Sequence, residues 1–153
     1  MTNLLKKSAL VLLMTASAGM LNTSYADTNS AKFDCKLTDQ AIDKVTTFEA
    51  KDTFTPTTPE IYAVCTTSDL HKGQSVTAQW IAADTHKAAP DNYMIQEKTV
   101  KVPDESEDGK KVSFTFSLSM PTKGWPAGSY KVNLFVDEEK NSSKGADFTI
   151  SKE

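Results

Sequence analysis

The sequence predicts an all-β protein, a two-sheet antiparallel sandwich of about seven strands in Greek-key order. Three observations carry that expectation. Apolar residues recur at every second position in several short runs. Turn residues punctuate those runs every ~8–15 residues, and no stretch shows a helical period over ten or more residues. A chain of 153 residues with 39% hydrophobic and 24% charged residues suits one domain and is too apolar for a disordered chain. A sandwich buries one face of each sheet at this size; a closed barrel is the alternative.

The first 26 residues do not belong to that domain. Lys6 and Lys7 precede an apolar stretch from Ala9 to Met14 that continues through small residues to Leu21, and no acid occurs before Asp27. Ser24 and Ala26 put small side chains at the positions a signal peptidase inspects, so residues 1–26 read as a secretory signal peptide cleaved before Asp27. Thr15, Ser17 and Gly19 interrupt the apolar run, which falls short of the ~20 residues that span a bilayer. No cysteine lies near the cleavage point, and no later run is long enough to cross a membrane, so no stable insertion is expected after cleavage. The expected location is the periplasm, or outside the cell as a secreted or surface protein.

Residues 27–153 then form the single domain, with 27–32 polar and frayed. Phe33 to Leu37 alternates apolar and charged residues, the mark of a half-buried strand. Thr38 to Lys44 fits one helical turn or a loop, and Val45 to Phe48 is again strand-like in composition. Pro56 and Pro59 keep Thr53 to Glu60 out of a central strand, because proline lacks the ladder donor. Ile61 to Thr67 is β-rich and carries Cys65, and the turn after it ends at Gly73. In Ser75 to Ala82, Val76, Ala78 and Trp80 share one face. Tyr93 to Val102 is extended, beyond a polar loop at Asp84 to Asn92.

Asp104 to Lys110 is a charged turn. Val112 to Met120 is the clearest strand, with five apolar side chains separated by serine or threonine. Pro121 to Gly128 is a rigid connection, and Ser129 to Asp137 alternates with Tyr130, Val132, Leu134 and Val136 inward. A polar loop from Glu138 to Gly145 leads to a last short strand marked by Ala146, Phe148 and Ile150.

The domain holds two cysteines, Cys35 and Cys65, and export makes a structural disulfide between them the expectation, with two free thiols as the alternative. Neither belongs to a C-x-x-C pair, so no redox motif is present. His71 and His86 stand at no ligand spacing from a cysteine or from each other, and no metal or other cofactor is expected. The acidic run Asp104, Glu105, Glu107 and Asp108 lacks calcium-loop spacing and reads as a solvated turn, as does Asp137-Glu138-Glu139. Asn141-Ser142-Ser143 has the form of a glycosylation sequon.

No hydrolase elbow, zinc-protease helix, P-loop or phosphate-binding glycine run occurs, and no catalytic residues are assigned. All 17 basic residues are lysines, and after loss of the leader twenty acids outweigh fifteen lysines. Without clustered positive charge or arginine forks, nucleic acid is excluded as a partner.

The stretch from Phe54 to Ile150 resembles small immunoglobulin-like domains of exported bacterial proteins. FTPTTPEIYAVC (54–65), SVTAQWI (75–81), SFTFSLSMP (113–121), GWPAGSYKVNLFVD (124–137) and DFTI (147–150) carry the resemblance. It implies a binding, adhesion or structural module, with a Trp-Pro-x-Gly-x-Tyr corner opening the penultimate strand. In that corner Pro126 fixes a torsion, Gly128 permits reversal, Trp125 caps the sandwich end, and Tyr130 packs. The functional expectation is a non-enzymatic module that binds a protein or glycan in the cell envelope; the partner and the binding face are unknown. Two alternatives stand beside it: a fimbrial or pilus-like subunit, and an exported enzyme inhibitor using the loops Asp84 to Asn92 or Asp104 to Lys110.

Overall fold

A computed structural model describes residues 31–42, 47–138 and 143–152. The leader and the proposed cleavage site lie outside the described residues, as do Asn141 of the sequon, Glu139 and the 43–46 segment. Among the described residues no helix is long and apolar enough to cross a membrane.

The described residues form eight strands: β1 (Asp34–Thr38), β2 (Thr53–Phe54), β3 (Glu60–Thr67), β4 (Ser75–Asp84), β5 (Tyr93–Lys101), β6 (Val112–Ser119), β7 (Gly128–Val136) and β8 (Ser143–Ile150). They make a three-stranded sheet, β1-β3-β6, and a five-stranded sheet, β2-β8-β7-β4-β5. All pairings are antiparallel except β2 with β8. Only β4–β5 and β7–β8 are sequential neighbours within one sheet; the other links cross between layers, so the fold is an all-β sandwich.

The two-residue period decides what each sheet buries. Ile61, Ala63 and Cys65 of β3 and Phe114, Phe116 and Leu118 of β6 point into the core. Val76, Ala78 and Trp80 of β4, Tyr130 to Val136 at alternate positions of β7, and Phe148 and Ile150 of β8 are buried with them. The serines and threonines between the β6 apolar residues face out, as their alternation requires.

Three local expectations change. Thr47 and Phe48 are not in a strand; the short parallel strand at Thr53–Phe54 forms instead. Its place is a sheet edge, where Pro56 ends it without breaking a ladder. Met120 is 37% exposed rather than inward, because β6 stops at Ser119 before Pro121. Of the suggested helical turn, residues 38–42 are strand end and irregular chain, with the Gln40 N–H bonded to Thr38 Oγ1 at 3.2 Å.

Three irregularities shape the larger sheet, and one of them lies between β4 and β7, where Ala83 is the extra residue. Gly145 is left between the pairs Val132↔Ala146 and Asn133↔Lys144, a bulge whose extra residue sits hard on its neighbour: a Cβ there would lie 2.6 Å from the Val132 carbonyl oxygen. The third shift is between Trp80 and Ile81, where Ile95 of β5 is the extra residue.

Candidate functional site: an aromatic corner and the sheet edges

The disulfide Cys35–Cys65 is formed. Its two residues are direct cross-strand partners in β1 and β3, so it bridges neighbours within one sheet and not the two layers. Their Cα atoms are 4.0 Å apart, the narrow spacing of a non-hydrogen-bonded antiparallel pair.

At one end of the sandwich, the links β2–β3 and β6–β7 meet. Both links pass from one sheet to the other. A tight turn at Thr55–Thr58 is closed by Thr58 N–H to Thr55 O at 3.1 Å and by Thr55 N–H to Thr58 Oγ1 at 3.1 Å. That turn presents two carbonyls to Trp125. The Trp125 N–H donates to Pro56 O at 2.9 Å, and its indole Nε1–H donates to Thr58 O at 2.7 Å. Tyr130 stands perpendicular to Trp125, with ring centroids 6.1 Å apart, and its hydroxyl donates to Pro126 O at 2.6 Å. A tyrosine opening the strand and bonded back to the backbone four residues earlier is the tyrosine corner of Greek-key sandwiches. Tyr130 stacks in turn on Phe148 at 5.1 Å, and Phe148 meets Phe54 and Trp80 edge-on.

Burial pushes the Tyr130 phenol up to about 12. Gly128 begins β7 at φ 152°, and a Cβ on it would be 2.1 Å from Asp84 O. No side chain fits that approach, so Gly128 joins the loop after β4 to the start of β7. Trp125 and Tyr130 are each only 3% exposed, which makes the corner a packing device rather than a ligand surface. The other tryptophan, Trp80, is fully buried, and its indole N–H finds no hydrogen-bond partner among the described residues.

Asp137, expected as part of a solvated turn, is an anchor. It accepts the Ser75 N–H at 2.8 Å and the Gln74 side-chain amide at 3.1 Å, tying the end of β7 to the start of β4. The Ser75 N–H, with help from Gln74 and the Ser75 hydroxyl, holds its carboxyl below the usual range. Only geometry reveals this, since the two segments are 62 residues apart.

The remaining candidates scatter. His71 lies 3.2 Å from Asp108, and Glu107 pairs with Lys110; all four are exposed. His86 and Lys87 occupy the centre of a tight turn with φ of 52° and 74°, closed by Ala88 N–H to Thr85 O. Among the described residues, no three His, Cys, Asp or Glu side chains converge on a metal position. A shallow groove of about 450 Å³ crosses β2, β8 and β7, lined in part by Asp52, Thr53, Ser129, Lys131, Asp147 and Thr149, and within it the Thr53 hydroxyl donates to the Asp52 carboxylate at 3.2 Å. Among the described residues the large exposed apolar side chains lie elsewhere: Met120 beyond β6, and Tyr93 at 52% and Met94 at 49%, successive residues at the start of the edge strand β5.

No family profile matches the chain, and no curated protein sequence does. Among solved structures, a β-glucosidase from Erythrobacter marinus aligns at TM-score 0.45 and 12% identity, and one from Kluyveromyces marxianus at 0.45 and 14%. Each alignment covers 80% of this chain and 15% of the other. A likeness that slight carries no argument about activity.

Proposed function

We propose that the chain is a non-enzymatic module of a bacterial cell envelope, exported by its leader and folded as an immunoglobulin-like sandwich that binds a protein partner. One observation carries the reading: the aromatic side chains of the corner are buried as scaffold, while Tyr93 and Met94, on opposite faces of the edge strand β5, are both left exposed. Large apolar residues left uncovered at a sheet edge suit contact with a segment that wraps that edge. A disulfide and a leader-like N-terminus both favour an oxidising compartment. Against assembly as a pilus subunit, β8 already lies along β7 for seven residue pairs, where a donated strand would enter.

The test is capture from envelope extract by the purified exported chain, beside a Tyr93→Ala/Met94→Ala double variant. A protein retained by the wild type and lost by the variant supports the reading. Retention of polysaccharide alone would make the module a glycan binder. Equal retention by both chains, or hydrolytic activity in a substrate screen, would overturn it. Mass spectrometry of the exported product should find Asp27 at its N-terminus.

A further inference from the structure

A two-sheet sandwich of this order leaves four edge strands, and each exposes backbone donors and acceptors unless something blunts it. Three are blunted. β1 is five residues long, carries Asp34 and Lys36, and has its Leu37 carbonyl taken by the Lys51 N–H at 2.8 Å. β2 has two residues and runs into Pro56. β5 carries Glu97, Lys98 and Lys101 and is broken in register by its bulge.

The fourth edge, β6, has none of these devices. It pairs with β3 over eight residues without a register shift, and Val112–Ser119 contains no charge and no proline. The direction of its free groups follows from its pairing. The Met120 N–H donates to Pro59 O across the ladder, so the even-numbered residues of β6 bond toward β3. The narrow Cys35–Cys65 pair gives the same phase. Ser113, Thr115, Ser117 and Ser119 therefore aim their N–H and C=O groups away from the sheet. No loop caps any of the four among the described residues.

The space beside that edge is roofed. In β5, Lys98 lies opposite Ala78, Gln96 opposite Trp80, and Tyr93 opposite Ala82, so all three share the inward face of the larger sheet. Ala78 and Trp80 are fully buried, yet Lys98, Gln96 and Tyr93 are exposed. The five-stranded sheet thus extends past the three-stranded one, and among the described residues no strand lies beside the outer edge of β6.

We infer that this slot receives one extended segment of the partner polypeptide, added as a fourth strand beside β6 and covered by β5. The inference rests on the module reading above and names its recognition chemistry. The segment is free of proline and apolar at alternate positions, continuing the inward row of Phe114, Phe116 and Leu118. An acidic side chain in that row meets Lys98, the one cation on the roof's inward face. A folded second copy does not fit. Pairing β6 with its two-fold mate would put both five-stranded sheets on one side of a shared sheet, with both β5 strands claiming the same overhang. A glycan has no row of amides to match.

The probe is a terminally blocked octapeptide alternating serine with valine or leucine, with one glutamate in the apolar row. Its control is the same composition in a non-alternating order. NMR hydrogen exchange on the exported chain should show the alternating peptide slowing the amides of Ser113, Thr115, Ser117 and Ser119 at least about tenfold, with the control inactive. Thr115→Pro removes an outward N–H at an edge, where proline is tolerated, and should weaken binding at least about tenfold. Thr115→Lys, an edge-guarding change, should do the same if the proline variant fails to fold. No binding at about 1 mM peptide, a free energy near −4 kcal/mol, overturns the inference. Protection on β5 instead, or unchanged binding by a folded variant, does so too. Envelope capture separates the two readings. If both Thr115 variants retain the partner that Tyr93→Ala/Met94→Ala loses, the slot is wrong and the module stands. If the wild type captures nothing, the module reading fails, whatever the peptide does.

Discussion

The corner around Trp125 and the Cys35–Cys65 bridge hold different things. The bridge joins two strands that already face each other in one ladder. The corner joins two links that each cross between layers, through contacts spanning 67 residues of sequence. Covalent bonding therefore reinforces a pairing within a sheet, while the attachment of one sheet to the other relies on packing and a few hydrogen bonds. A disulfide restricts the unfolded chain wherever it lies, whereas the corner acts only in the native state.

Four measurements sharpen that contrast. Trp125→Ala removes a buried indole and leaves the Thr58 carbonyl without its donor, and should cost about 3–5 kcal/mol in denaturant unfolding. A loss under about 1 kcal/mol would deny the corner its role. The double change Cys35→Ala/Cys65→Ala should cost about 3–4 kcal/mol by freeing a 30-residue separation in the unfolded chain. Because β1 is held by its ladder as well, its amides should stay protected in native exchange; melting of β1 alone would show that the bridge, not the ladder, holds it.

Tyr130→Phe deletes one hydrogen bond and should cost about 1 kcal/mol. Its pH signature has a definite sign. With the folded phenol raised to about 12, the wild-type advantage is full below the ordinary value near 10 and fades as pH climbs through the folded one. Absorbance titration should find one tyrosine ionising late. Asp137→Asn should have the smallest effect, about 0.5 kcal/mol, since the site is exposed and screened. Its folded carboxyl is depressed, so the difference between the chains should be present above the usual carboxylate range and vanish as pH falls through the folded value.

How much of this was legible beforehand follows from what periodicity encodes. Alternation along 112–118 and 130–136 identified inward faces, because one strand's pattern is written in its own residues. Pairing partners are not. Thr53–Phe54 became an edge strand because β8 lay beside it, and nothing in two residues announces that. The aromatic corner was visible as Trp125, Pro126, Gly128 and Tyr130, but not its second half, since Pro56 and Thr58 contribute only carbonyls. The anchoring role of Asp137 and the bare backbone of β6 were hidden for the same reason. Main-chain groups have no letter in a sequence.

The two indoles end in unlike surroundings, and that gives the protein an internal optical gauge. Trp80 is fully buried and its N–H has no partner among the described residues, so its excited state has little polar matter to relax against and emits toward the blue. Trp125 donates to a carbonyl oxygen and lies near a phenol ring, and emits from a more polar setting. With no third tryptophan in the chain, the shape of the emission band reads the middle of the sandwich and its end as separate signals.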